Sequence, residues 1–94
     1  PLERRVYELA RKHCGRQSNW QIGLSTLHRK VGSTDVLKNF RISIRHLCER
    51  DQLPGYKVRF DRGHDLIRVY KRSKAGDQAL LADLSHSIRQ EQRD

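Results

Sequence analysis

Methionine is absent from the 94 residues, and there are only two Cys, two Pro, one Trp, three Tyr and two Phe. Natural chains begin with methionine, so the sequence is expected to be a piece of a longer protein. Cys14 and Cys48 are too few and too far apart for a disulfide framework, and neither sits in a Cys-x-x-Cys pair. Each falls where a helix would bury it, as a small core residue in a reducing compartment. The five histidines, at positions 13, 28, 46, 64 and 86, never recur at His-x3-His spacing, and no four-ligand zinc set can be assembled. No metal or cofactor is expected. No apolar run approaches the roughly 18–20 residues that cross a bilayer, and Pro1-Leu2-Glu3-Arg4-Arg5 has no apolar stretch behind its charges, unlike a secretory signal. The scattered aromatics give no basic helix with a broad Trp/Phe/Leu face, so a membrane surface is not the expected partner. Catalytic signatures such as Gly-x-Ser-x-Gly, the phosphate-binding Walker loop and His-Glu-x-x-His are missing. His64-Asp65 beside Asp61 lacks the further oxygen ligands that a Mg²⁺-dependent nuclease needs. The chain is not expected to be an enzyme.

What the sequence has in excess is positive charge. Twenty Lys and Arg against eleven Asp and Glu give +9 at pH 7, and the hydrophobic fraction is a lean 35%. Residues 1–74 carry 18 basic and 7 acidic side chains, whereas residues 75–94 carry 2 and 4. A small domain so charged repels itself unless a polyanion is near, and the common polyanion is nucleic acid. With one thin core available at this size, a binding surface is a better expectation than an enclosed cavity.

Hydrophobic spacing divides the chain into elements. Leu2, Val6, Leu9, Ala10 and His13 share one helical face, with Glu3 near the start and Arg11-Lys12 near the end to suit the helix dipole. The spacing predicts a helix over 2–14, closed by Gly15 as its C′ residue. Trp20-Gln21-Ile22 alternates as a short strand, and Trp20 is read as a core anchor of the sheet. Ser25 is the expected N-cap of a helix of barely two turns built on Leu24, Leu27, His28 and Val31 and stopped by Gly32. Ser33, Thr34 and Asp35 offer three caps for the next helix. Leu37, Phe40, Ile44, Leu47 and Cys48 define that helix over 36–50, and Leu53-Pro54-Gly55 breaks it. Residues 56–60 and 65–71 alternate apolar and polar around Asp61-Arg62-Gly63-His64, a β-hairpin with a basic tip and Gly63 at the expected positive-φ position. Ala75-Gly76-Asp77 reads as a hinge, and Leu80, Leu81, Leu84 and Ile88 as the stripe of an amphipathic helix over about 77–90. It would cap this domain or pack on a part of the protein outside this sequence.

Helix, strand, helix, turn, long helix, hairpin is the order of a winged helix-turn-helix. The expectation is an α+β fold of three helices and a small antiparallel sheet with a wing hairpin over residues 1–74, plus the C-terminal helix in a tail, 75–94. In such a fold the second helix of the pair enters the major groove, which selects the helix over 36–50. Its inner face is apolar. Its outer face carries Lys38, Asn39, Arg41, Ile42 and Arg45, donors and one apolar group able to meet phosphates and base edges. A basic helical face is by itself only a solvated face. What singles this one out is that the order of elements independently picks the same helix. Ser33 and Thr34 stand at its start, where phosphate contact adds to capping. Arg29 and Lys30 close the preceding helix, and Arg59, Arg62, His64 and Arg68 furnish the wing. His28 and His46 are read as partly buried or solvated.

The runs Pro1-Leu2-Glu3-Arg4-Arg5-Val6-Tyr7-Glu8-Leu9-Ala10-Arg11-Lys12-His13-Cys14-Gly15 and Trp20-Gln21-Ile22-Gly23-Leu24-Ser25-Thr26-Leu27-His28-Arg29-Lys30-Val31-Gly32-Ser33 resemble the last domain of the plasmid replication initiator protein A family, which includes the TrfA-type initiators. Phe40-Arg41, Leu47-Cys48-Glu49 and Leu53-Pro54-Gly55-Tyr56 continue the likeness, which covers about 1–72. The resemblance implies the C-terminal of two winged-helix domains and a cytoplasmic protein of a plasmid-bearing bacterium. It implies binding to double-stranded direct repeats (iterons) at a replication origin, with the host initiator and helicase recruited by the whole protein. On this sequence the implied reading helix bears Ser33, Thr34, Lys38, Asn39, Arg41, Ile42 and Arg45, with the wing at residues 59–68. A transcriptional regulator binding an operator and a winged helix used for protein contact are the alternatives. Monomer and dimer both stay open.

Overall fold

The computed structural model describes residues 2–93, and their side chains through residue 86. Its elements follow in the order α1 (Leu2–His13), β1 (Asn19–Gly23), α2 (Leu24–Lys30), α3 (Leu37–Arg50), β2 (Tyr56–Asp61), β3 (Leu66–Lys71) and α4 (Lys74–Arg93). The three strands form one antiparallel sheet in the order β1-β3-β2. This is an α+β fold compatible with a winged helix.

The apolar periods dictate the layers. Trp20, Val69 and Val58 lie across from one another on one sheet face, as do Ile22, Ile67 and Phe60. That face meets Val6 and Ala10 of α1, Leu24 and Leu27 of α2, and Phe40, Ile44 and Leu47 of α3 in a single core. Each fully buried aliphatic or Phe side chain contributes about 1.5–3 kcal/mol relative to exposure, which is how so lean a sequence holds three helices on one sheet. Cys14 is in the core and Cys48 at its edge, where burial pushes the Cys48 thiol up to about 11. Trp20 packs at the rim, stacked on His13 with centroids 4.5 Å apart. His28 meets Phe40 edge-on and donates from Nε2 to the Asp35 carbonyl at 2.6 Å, while His46 is exposed.

Chain reversals depart from the sequence expectation in five places. First, Gly15 is not in left-handed backbone; the chain leaves α1 through a bend at 14–16 that keeps Cys14 buried. Second, Ser25 is not the N-cap of α2. Strand β1 runs straight into the helix through extended Gly23, and the Leu24 N–H donates to the Asp65 carbonyl at 2.9 Å. Third, none of Ser33, Thr34 and Asp35 caps α3, whose N-cap is Val36 with no side-chain bond. The upstream residues finish α2 instead. Gly32, at φ 66°, donates to the Arg29 carbonyl and Ser33 to the His28 carbonyl, a Schellman ending, and the Ser33 hydroxyl accepts from the Asp35 N–H.

Fourth, in the hairpin Asp65, not Gly63, takes the positive φ, at 52°. Fifth, Ala75-Gly76-Asp77 is no hinge. It lies in the first turn of α4, whose start is capped by the Ser73 hydroxyl accepting from the Gly76 N–H at 3.2 Å. A Cβ on Gly76 would stand 1.9 Å from the Lys71 carbonyl oxygen, so only glycine lets α4 approach the end of β3 this closely. The helix therefore packs on its own sheet, on the face turned away from α1–α3. There Tyr70 is 1% exposed and donates from its hydroxyl to Asp83 at 2.5 Å. Of the expected α4 stripe, Leu80 is half-buried, Leu81 and Leu84 are exposed, and Ile88 lies outside the described side chains.

Candidate nucleic-acid interface

The core stripe of α3 turns its opposite face to solvent. Lys38, Ile42 and Arg45 follow one another at i, i+4 and i+7 along that face, with Asn39 beside them, and all four are exposed. Ile42 is 41% exposed, an apolar group set between two cations where nothing covers it. No carboxylate pairs with Lys38 or Arg45 among the described residues. At the N-terminus of α3 the first backbone N–H groups have no side-chain cap. Exposed Thr34 and exposed Val36 stand beside them. Arg29 and Lys30, at the end of α2, are exposed and likewise unpaired among the described residues. A third cation, which the sequence reading left out, joins this corner. Arg5 of α1 donates from Nη1 to the Val31 carbonyl at 2.6 Å and lines a cleft of about 260 Å³ with Leu2, Gly32, Ser33 and Thr34. The signal for it was available, since Arg5 lies on the polar face of the first helix. Its neighbour across space was not.

The hairpin is different. Arg59 and Arg68 are directly opposed in the β2–β3 register, a like-charge pairing that destabilises a sheet unless each cation finds an acceptor. Each does. Arg68 donates to Asp61 from Nε (3.2 Å) and Nη2 (2.9 Å) and to Gln21 of β1 from Nη1 (2.6 Å). Arg59 donates to the Tyr70 hydroxyl at 3.3 Å. Asp61 also receives the His64 backbone N–H at 3.1 Å and its Nδ1 at 3.0 Å, which shapes the tip. Burial works against the charge on Asp61, but the bonds from Arg68 and His64 outweigh it and lower its pKa. Arg62, at the tip, is exposed and has no partner among the described residues. Arg41 belongs with the tied group. Its guanidinium forms a two-point fork on Asp65, Nε to Oδ1 at 2.9 Å and Nη2 to Oδ2 at 2.8 Å, and that hydrogen bonding raises its already high pKa.

The candidate residues thus form two sets. Arg29, Lys30, Thr34, Lys38, Asn39, Ile42, Arg45 and Arg62 are open to solvent without a partner among the described residues. Ser33, Arg41, Arg59, His64 and Arg68 are held by the protein itself. Sequence reasoning weighed the side chains of Asp61 and Asp65 only as metal ligands and missed that these two carboxylates do most of the holding. Among the described residues no three His, Cys, Asp or Glu side chains gather as metal ligands would, and no helix is long and apolar enough to cross a membrane.

Comparison with known proteins gives two matches of consequence. The profile of the family Replication initiator protein A matches residues 1–58, which takes in α1 to α3 and the first half of β2. A protein of Wigglesworthia glossinidia brevipalpis named "Putative replication protein" is 41% identical over 71 residues, 76% of this chain and 26% of the relative. The chain therefore spans about a quarter of that relative's length. No solved structure matches it.

Proposed function

Because this chain belongs to the replication initiator protein A family, and so to proteins that start DNA replication, we propose that it is the winged-helix unit through which its parent protein grips double-stranded DNA at the repeats of a replication origin. The observation that carries this reading is the unpaired Lys38–Ile42–Arg45 stripe on the helix that the core holds outward. An α-helix with its side chains is about 10–12 Å across, and the major groove of B-DNA is about 12 Å wide. Lys38 and Arg45 are then placed to donate to guanine edges or phosphates, Asn39 to an adenine edge, and Ile42 to meet a thymine methyl group. The uncapped amides of α3, with Thr34, Arg29, Lys30 and Arg5 nearby, suit backbone phosphates. Arg62 at the hairpin tip suits the backbone or the minor groove.

No catalytic step or cofactor enters this reading. The protein works in the bacterial cytoplasm beside its replicon, and contact with the host initiator and helicase falls to the longer protein.

The test is selection of duplexes from random DNA by the 94-residue chain, followed by a salt titration on the recovered word. A word that recurs in tandem at an origin is expected. With about five phosphates neutralised, log K should fall against log salt with a slope of about −4 to −5. A word arranged as a promoter palindrome would point to an operator-binding regulator. No enrichment, with a flat salt response, would point to a protein-contact module.

A further inference from the structure

Arg41 and Asp65 are 24 residues apart in sequence and joined by two hydrogen bonds of 2.9 and 2.8 Å. One residue lies on α3 and the other in the hairpin turn, immediately before β3. From this geometry we infer that the pair is the positioning device that sets the wing at a fixed place beside α3. Asp65, an acidic residue at a DNA-binding surface, is then required for sequence-specific binding, and Arg41 acts through it and not on a base. The inference rests on the DNA-binding reading above and names two residues that govern its specificity.

Three observations meet at Asp65. Its backbone is left-handed, at φ 52°, a conformation in which Asp and Asn are enriched among non-glycine residues. The turn therefore selects this residue type before any contact is made. Its carbonyl accepts the Leu24 N–H at 2.9 Å, which supplies the start of α2 with a partner where Gly23 offers no side chain. Its carboxylate takes the planar fork of Arg41, a two-point match that fixes orientation as well as distance. One residue thus ties the wing to α2 through its backbone and to α3 through its side chain.

The same geometry argues against Arg41 as a base reader. To reach a guanine edge it would have to surrender both bonds and leave a bare carboxylate next to phosphates. Lys38 and Arg45, the adjoining cations of α3, have no such bonds to give up. Both partners are 41% exposed, so the pair contributes little to stability, and its value lies in placement.

Simple electrostatics predicts the opposite sign, which makes the inference testable. Removing a negative charge from a DNA-binding face strengthens binding to every sequence. The experiment measures the affinity of the 94-residue chain for the duplex it selects from random DNA and for a scrambled duplex of equal length and composition. Asp65→Asn keeps a residue suited to left-handed backbone. It is expected to weaken binding to the selected duplex about tenfold while leaving the scrambled duplex unchanged or bound more tightly. Arg41→Ala should lose a similar factor, and the double variant should be no worse than the worse single variant. Arg41→Lys, which retains the charge without the fork, guards against a folding defect and should also lose most of the discrimination.

Tighter binding of Asp65→Asn to both duplexes would overturn the inference. So would an Arg41→Ala loss repeated in full on the Asp65→Asn background, or wild-type discrimination by Arg41→Lys. If the unaltered chain bound neither duplex, the DNA-binding reading itself would fall, and the role of the pair with it. If Lys38→Ala and Arg45→Ala both left binding intact, α3 would not be the docking helix and the pair would have no reader to position.

Discussion

The outer face of α3 and the wing hairpin carry similar side chains and use them in opposite ways. On α3, Lys38 and Arg45 stand free around an exposed Ile42. In the hairpin, Arg68 is held by Asp61 and Gln21, Arg59 reaches Tyr70, and Asp65 reaches over to hold Arg41 of α3. The difference follows from support. A helix seated on the core by Phe40, Ile44 and Leu47 needs no surface bonds to keep its shape. Two arginines directly opposed on neighbouring strands need partners to stay side by side. Lys38 and Arg45 of the helix are therefore available to a ligand, whereas Arg41 and most cations of the hairpin are held in architecture.

The largest expected effect tests whether the two regions are one body. Phe40 is 2% exposed, and Phe40→Ala should cost about 3–5 kcal/mol, read from urea unfolding. Helix and hairpin should melt in one transition, and two separate transitions would show that the contrast is between independent units. Next, Lys38→Ala or Arg45→Ala should weaken binding to the selected duplex by about 1–3 kcal/mol with unfolding unchanged. Arg68→Ala should do the reverse, losing about 1–3 kcal/mol of stability through its charged hydrogen bonds with a smaller effect on binding. Equal effects of the two kinds of substitution would dissolve the distinction between free and held cations.

A smaller change is expected at the tip. Arg62→Ala should weaken binding to all sequences alike and reduce the salt slope by about 1, whereas a change in sequence preference would make the tip a reader. The gentlest probe is acid. Asp61 and Asp51 both have lowered pKa values. Burial opposes the charge in each, and is outweighed by Arg68 and His64 at Asp61 and by Arg72 and Lys57 at Asp51. A carboxylate with a lowered folded-state value contributes stability that is present above its unfolded value, about pH 3.9, and lost as pH falls through the folded one. Melting temperature should therefore drop below about pH 4, and Asp61→Asn should shallow that drop. An unchanged acid limb would mean that Asp61 does not hold the wing.

Elements with a strong apolar period were legible from residue order alone. Leu37, Phe40, Ile44 and Leu47 at helical spacing gave α3 to within a residue, and the alternation of Tyr56, Val58 and Phe60 gave β2. Reversals were not legible, because several residue types compete to make each one. Ser25 looked like a cap and is inside α2, Gly63 looked like the positive-φ residue and Asp65 is, and Gly76 looked like a hinge and is a point of close approach. The candidate site was legible as a set of residues but not as a set of states. Arg41 and Lys38 read alike on a helical wheel, and only the meeting of Arg41 with a carboxylate 24 residues away separates them. The same holds for Arg68 and Gln21, which lie 47 residues apart.

Strand β3 pairs on both edges, with Ile67 and Val69 in the core and Tyr70 under α4 on the opposite side. Its amide protons should therefore exchange with solvent only when the whole molecule opens, while those at residues 62–64 exchange by local fraying. The tip can open locally without loosening the strand that carries it.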